Sequence, residues 1–381
     1  MEKRIRPGAQ NLGRMVGSGM DVEDFIELTK RTECDCTCVG QSFVLTPEED
    51  REDFVDVAIE IGRRLEEQAE TLEKKGNKVS AANFYWRSCA MYRVADYGVH
   101  GKGEEKLKLY AKLPETFQKY LRLRPEHVEV VEIPFGGGSM PGYFAIPDGT
   151  TPETPVLVFI AGATGFKEEN WLSAMYFFER GIPVIIFDGP GQGEAIYFRN
   201  MLLTADNYVA AVKAVIDYVK ADSRVGNKVA LYGISYGGFL ATQAACALND
   251  DICGLVVRGG TDKADTLTKH SWMGIPNFYL NGFAVKFGTE DMEECSRISS
   301  AQDCTQDLHK ITVPLIVVHS QEDPILGVEG AHRIYDMVSS TDKYYAEYPG
   351  NTHCVEDKRD TCSCELADWM CERMLSVSSG R

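Results

Sequence analysis

Between residues 46 and 121, apolar side chains recur every three or four positions. Phe54, Ala58, Ile61, Leu65, Ala69 and Leu72 share one face, which predicts a long helix with a single buried stripe. Thr46-Pro47-Glu48-Glu49 ahead of it reads as a capping box with proline at the first helical position. Lys74-Lys75-Gly76-Asn77 reads as its stop, basic residues followed by glycine. A second helix is predicted over 80–97 and a third over 103–121. The second is rich in aromatic residues. Tyr85, Trp86, Tyr92 and Tyr97 suit helix packing or, alternatively, a stacking surface for an aromatic ligand.

From His127 the period changes from helical to extended. HVEVVEIP, then Gly136-Gly137-Gly138-Ser139, then Tyr143 to Ile146 predict an antiparallel hairpin. Short apolar runs follow: PVLVFI from Pro155, PVIIF from Pro183, KVALY from Lys228, Ile252 to Val257, and PLIVVH from Pro314. Continuous apolar runs alternating with helical patterns predict parallel strands buried on both faces. Tyr208, Val212, Val215 and Val219 mark one intervening helix, and Leu366 to Leu375 a final amphipathic one. The reading is an α/β core over 126–381 with an N-terminal helical domain over 1–125.

The chain has 381 residues, 44% of them hydrophobic and 25% charged, a globular composition. No apolar run is long enough to span a bilayer. A net charge of −17 argues against binding a phosphate backbone. MEKRIRPGAQ at the start lacks the apolar run of a secretory signal, so a reducing, cytoplasmic setting is expected. The twelve cysteines then read as thiols rather than disulfides. Cys34, Cys36 and Cys38, like Cys362 and Cys364, are spaced as C-x-C and not as the C-x2-C of common zinc sites. No metal or organic cofactor is implied.

Gly233-Ile234-Ser235-Tyr236-Gly237 is a G-x-S-x-G sequence directly after a predicted strand and directly before a predicted helix. That is the setting of a nucleophile elbow, in which a sharp turn lifts the serine hydroxyl clear of the sheet. Its partners are expected in the order carboxylate, then histidine. Asp323 follows the strand PLIVVH, and His353 follows the strand YYAEY in Pro349-Gly350-Asn351-Thr352-His353. Both fall on loops at the edge that carries the elbow. His353 is the expected base and Asp323 the group that orients it. Glu322 and His319 are the nearest rivals: the first points the opposite way on an extended segment, and the second ends a strand. The oxyanion donors are expected to be the N–H of Tyr236 and that of Ala163, the latter in the loop after PVLVFI. Asp188-Gly189-Pro190-Gly191-Gln192-Gly193-Glu194 matches neither dinucleotide nor Walker patterns and reads as a structural turn.

With these residues the chain resembles the α/β-hydrolase superfamily. PVLVFIAGATGFKEENW, FDGPGQGE and GISYGG, preceded by helices, are similar to one branch of it. That branch includes 2,6-dihydroxypseudooxynicotine hydrolase, the FrsA-like proteins and fungal polyketide-shortening hydrolases. The resemblance implies a helical cap over the serine and a small-molecule substrate. It also implies cleavage of a carbon–carbon bond beside a ketone in 1,3-diketone-like compounds, with hydrolysis of a small ester or thioester as the alternative. A cyclase, a lyase or a non-catalytic binding protein on the same scaffold ranks lower. It suggests a homodimer. It further implies an extra carboxylate after the strand that follows the elbow helix, for which Asp265 matches best and Asp262 second; a solvated helix cap is the competing role for both.

Overall fold

The computed structural model describes residues 14, 16–32, 51–264 and 282–378. It divides into two units, Met1–Glu126 and His127–Arg381.

The first unit is helical: α1 (Val22–Thr32), α2 (Phe54–Lys74), α3 (Lys78–Gly98) and α4 (Glu104–Leu123). The buried stripe of α2 is the expected one, with Phe54, Ala58, Ile61, Leu65 and Ala69 all buried. Its start differs from the expectation. Thr46-Pro47-Glu48-Glu49 lies outside the described residues, and 51–53 are not helical. Asp53 is the N-cap, its carboxylate accepting from the N–H groups of Val55 and Asp56 at 2.9 and 3.0 Å. An aspartate immediately before the apolar stripe satisfies the open donors of the first turn, so the helix begins there. The aromatic residues of α3 pack within this unit. Trp86 lies against Phe117 and Tyr120, while the Tyr85 and Tyr92 hydroxyls donate to Glu73 and Glu66. Buried charges are paired: Arg87 with Asp24 at 2.8 Å and Lys106 with Asp96 at 2.7 Å.

The second unit is built on an eight-stranded sheet. Its strands are β1 (Val128–Phe135), β2 (Gly138–Ala145), β3 (Val156–Ile160), β4 (Val184–Phe187), β5 (Val229–Ile234), β6 (Gly254–Arg258), β7 (Leu315–Ser320) and β8 (Lys343–Tyr348), in the order β1-β2-β4-β3-β5-β6-β7-β8. The β1–β2 hairpin is antiparallel and β2 pairs antiparallel with β4; every other pairing is parallel. Its α-helices of five or more residues are α5 (Trp171–Phe178), α6 (Gly193–Tyr197), α7 (Asn207–Lys220), α8 (Tyr236–Leu248), α9 (Met292–Ser300), α10 (Val328–Met337) and α11 (Arg359–Ser378). On β5, Leu231 packs in the cluster that holds Tyr208, Val212 and Val215 of α7 and Phe239 of α8, whereas Tyr232 meets Phe177 of α5. Successive strand residues face opposite ways, so helices cover both faces. That is why β3 to β7 are fully or almost fully buried and read as unbroken apolar runs. The parallel register sets Ile160 beside Gly233, Ile234 beside Arg258, and Ser320 beside Tyr348. Loops leaving these carboxyl ends therefore converge on one edge of the sheet.

Candidate active site

Ser235 ends the turn between β5 and α8 with φ 58° and ψ −127°. A side-chain-bearing residue rarely takes this left-handed backbone, and two glycines make it attainable here. A Cβ on Gly233 would lie 2.1 Å from the Gly237 carbonyl oxygen. One on Gly237 would lie 2.4 Å from the carbonyl oxygens of Ile160 and Ala161. Both positions are closed to any larger residue, which is the physical content of the G-x-S-x-G spacing.

His353 stands at the end of the loop after β8. Its Nε2 is 2.7 Å from the Ser235 Oγ, and its Nδ1 is 2.8 and 3.0 Å from the two carboxylate oxygens of Asp323. With its proton on Nδ1, the imidazole donates to Asp323 and accepts from the serine hydroxyl, so one tautomer satisfies both contacts. Asp323 is itself held by the N–H groups of Ile325, Leu326 and Cys354 at 2.9, 3.0 and 3.2 Å. Burial opposes its charge, but His353 and these donors hold the carboxyl below the usual carboxylate range. Burial likewise opposes the imidazolium of His353. The facing Asp323 carboxylate and, secondarily, the Cys354 sulfur outweigh it and push His353 well above its ordinary value.

The remaining expected residues fall as follows. Tyr236 is the first residue of α8, where an N–H has no acceptor within the helix. Ala163 lies in a turn closed by the Gly165 N–H donating to the Gly162 carbonyl at 3.2 Å. A Cβ on Gly162 would come within 3.2 Å of the Ser235 Cβ, so this loop runs alongside the serine. Glu322 is exposed. His319 is buried, and its Nδ1 contacts the Ser320 carbonyl at 3.0 Å. Asp265 lies outside the described residues, as do Cys34, Cys36 and Cys38. Asp262 is buried, not a solvated cap. Both its oxygens are taken by Arg333, at 2.6 and 2.8 Å, and one also by the Thr305 hydroxyl at 2.6 Å. Among the described residues no cluster of histidine, cysteine or acidic side chains is arranged to hold a metal ion. Cys362 and Cys364 are free thiols.

One group was missed in the sequence. Lys167 is fully buried between Glu168 at 2.9 Å, Asp188 at 3.0 Å and Glu194. Burial disfavours its charge, but these carboxylates push its pKa well above the ordinary lysine value. Asp188 also accepts the N–H groups of Lys167 and Glu194 at 2.9 and 3.0 Å. Gln192 donates to the Ala161 carbonyl at 2.7 Å. The Asp188–Glu194 segment is therefore a brace that fixes the loop carrying Ala163. Lys286 braces it in turn, donating to the Gly191 carbonyl at 2.7 Å. Burial pushes the Lys286 ammonium down to about 7, with Asp188 partly offsetting that.

Comparison with known proteins sets this geometry in a family. Over 331 residues the chain is 23% identical to the 2,6-dihydropseudooxynicotine hydrolase of Paenarthrobacter nicotinovorans, covering 85% of each protein. It is 27% identical over 260 residues to the alpha/beta hydrolase ucsC of Acremonium sp, covering 61% of this chain and 50% of that one. The crystal structure of the 2,6-dihydroxy-pseudo-oxynicotine hydrolase superposes with a TM-score of 0.80 at 21% identity, covering 96% of both chains. No described helix is long and apolar enough to cross a membrane. Residues 170–373, which hold Ser235, Asp323 and His353, match the model of the prolyl oligopeptidase family; the chain belongs to that family and is an α/β hydrolase.

Proposed function

We propose that the protein is a serine hydrolase in which Ser235 attacks a carbonyl carbon, His353 moves the proton and Asp323 holds the imidazole. The observation that carries this reading is the unbroken contact from the Ser235 hydroxyl through His353 to Asp323. As the Oγ–carbon bond forms, the serine proton passes to Nε2 and the carbonyl electrons move onto oxygen. The N–H groups of Tyr236 and Ala163 are the proposed donors to that oxyanion. On collapse, the carbon–carbon bond of a 1,3-diketone breaks. Its electron pair leaves as an enolate, which the second carbonyl stabilises, and His353 returns the proton to carbon. Water, deprotonated by His353, then attacks the acyl-enzyme. One water is consumed, and a carboxylic acid and a ketone are released.

A 1,3-diketone is preferred over an ester because of the similarity to a branch whose studied members cleave beside a ketone. The stabilised imidazolium of His353 suits protonation of a carbanionic leaving group. Asp262, committed to Arg333, is not offered as the extra carboxylate; Asp265 keeps that proposal. The same reading assigns the helical unit the role of a cap.

The test is labelling with a fluorophosphonate, followed by peptide mapping and turnover of paired 1,3-diketone and ester substrates. Adduct on Ser235 is expected in the parent, with none in Ser235→Ala and no turnover by that folded variant. Full turnover by Ser235→Ala would sink the nucleophile assignment. Faster turnover of short acyl esters than of any diketone would overturn the carbon–carbon reading and leave the esterase one.

A further inference from the structure

Arg258 is the last residue of β6, and its side chain is fully buried. A guanidinium stays charged, so burying it carries a large desolvation cost unless its donors are used. They are used on the segment that follows His353, by two loop carbonyls and one hydroxyl of α11. Nε donates to the Cys354 carbonyl at 2.7 Å, Nη2 to the Val355 carbonyl at 3.4 Å, and Nη1 to the Ser363 hydroxyl at 3.3 Å. Glu356 lies 3.7 Å from Nη2.

Cys354 and Val355 immediately follow His353, and both carry φ of 57°. For a β-branched residue such as valine this backbone is a genuine outlier. Left-handed geometry is strained for residues that carry a Cβ, so neighbours must impose it. Arg258 supplies that constraint from the side-chain end. Its backbone acts at the same time on the serine: the Ser235 N–H donates to the Arg258 carbonyl at 2.8 Å. Gly259 completes the fit with φ +59°, since a Cβ there would lie 2.6 Å from the Cys354 sulfur.

We propose that Arg258 is a positioning residue for turnover, fastening the Ser235 turn with its carbonyl and the His353 loop with its guanidinium, and so fixing the serine–histidine contact. The proposal rests on the Ser235–His353 reading above. A lysine in its place keeps the charge but lacks the planar fork that reaches three acceptors at once.

The experiment compares parent, Arg258→Lys and Arg258→Ala with the fluorophosphonate, reading both the rate constant of labelling and the fraction of protein labelled. It is repeated with added guanidinium ion at non-denaturing concentration. A shift of about 1 Å in a reacting group costs roughly 10²-fold, so labelling of Arg258→Lys is expected to slow by about that factor at full final occupancy. In steady state kcat falls while KM holds. Guanidinium is expected to restore part of the Arg258→Ala rate. A purely structural role predicts fewer labelled molecules reacting at the parental rate, with no rescue, and that result overturns the proposal. If Arg258→Ala does not fold, the Arg258→Lys rate decides alone. A parent that takes no label on Ser235 overturns the underlying nucleophile reading instead, and this inference with it.

Discussion

Among the described residues of the helical unit, no non-glycine residue has positive φ. At the carboxyl edge of the sheet Ser235, Cys354 and Val355 do, at 58°, 57° and 57°. The two regions also use buried charge differently. In the helical unit Lys106 and Asp96 answer each other, and so do Arg87 and Asp24; such pairs sit on relaxed helices. At the sheet edge, buried Arg258 donates to the carbonyls of Cys354 and Val355, backbone that is not relaxed, while buried Lys167 pairs with the carboxylates of Glu168, Asp188 and Glu194. In one region charge pairing offsets its own burial; in the other, buried cations also fasten the loops beside the proposed catalytic groups.

The steepest loss should come from the strained side. Asp323→Asn keeps the shape but can offer an amide N–H where His353 Nδ1 needs an acceptor. The wrong tautomer results, and kcat is expected to fall about 10⁴-fold. The pH profile carries the sign. The proposed mechanism needs neutral His353, whose pKa lies above its ordinary value because Asp323 stabilises the imidazolium. The acid limb of kcat/KM in the parent is therefore expected above about 6.5, the unperturbed histidine value. In Asp323→Asn the residual rate should show a limb at lower pH. An unmoved limb would show that the titrating group is not His353.

The relaxed side is tested by Asp96→Asn, which leaves the Lys106 ammonium buried without its counter-ion. Breaking a buried pair costs about 3–5 kcal/mol. Burial already pulls the Lys106 pKa below its ordinary value despite Asp96. Its removal should lower that pKa further, so the unfolded chain binds the extra proton up to about 10.4. The loss of stability should then shrink as pH rises from 6 to 9. Urea unfolding at the two pH values measures it. A loss that grows with pH would mean that Lys106 is not the group responsible.

The comparison also explains what could be read from the chain beforehand. Strands β3 to β7 were legible because burial on both faces writes a continuous apolar run, a purely local signal. Ser235 was legible because the elbow forces glycine at 233 and 237, and Asp323 and His353 because strand order puts their loops on one edge. Lys167 and Arg258 were not. A lysine or arginine normally signals solvent, and nothing in a local pattern says that Asp188 or the Cys354 carbonyl will meet it. The burial of Asp262 is illegible for the same reason, its partner Arg333 being far along the chain. The start of α2 is less legible, because two capping signals, Thr46 to Glu49 and Asp53, fall within a few residues of each other, and Asp53, which touches the stripe, caps the helix at Phe54.

That competition yields the smallest and cleanest test. Asp53 caps α2 through two N–H contacts, while Thr46-Pro47-Glu48-Glu49 offers an alternative start upstream. Replacing an aspartate cap with alanine costs about 1 kcal/mol in most proteins. If α2 stops at Phe54 whatever precedes it, Asp53→Ala should lower stability by about that much, with helical content unchanged or reduced by circular dichroism. If the upstream box can take over, alanine at 53 favours helix and the chain through 51–53 should join α2, giving more helical signal and a smaller loss.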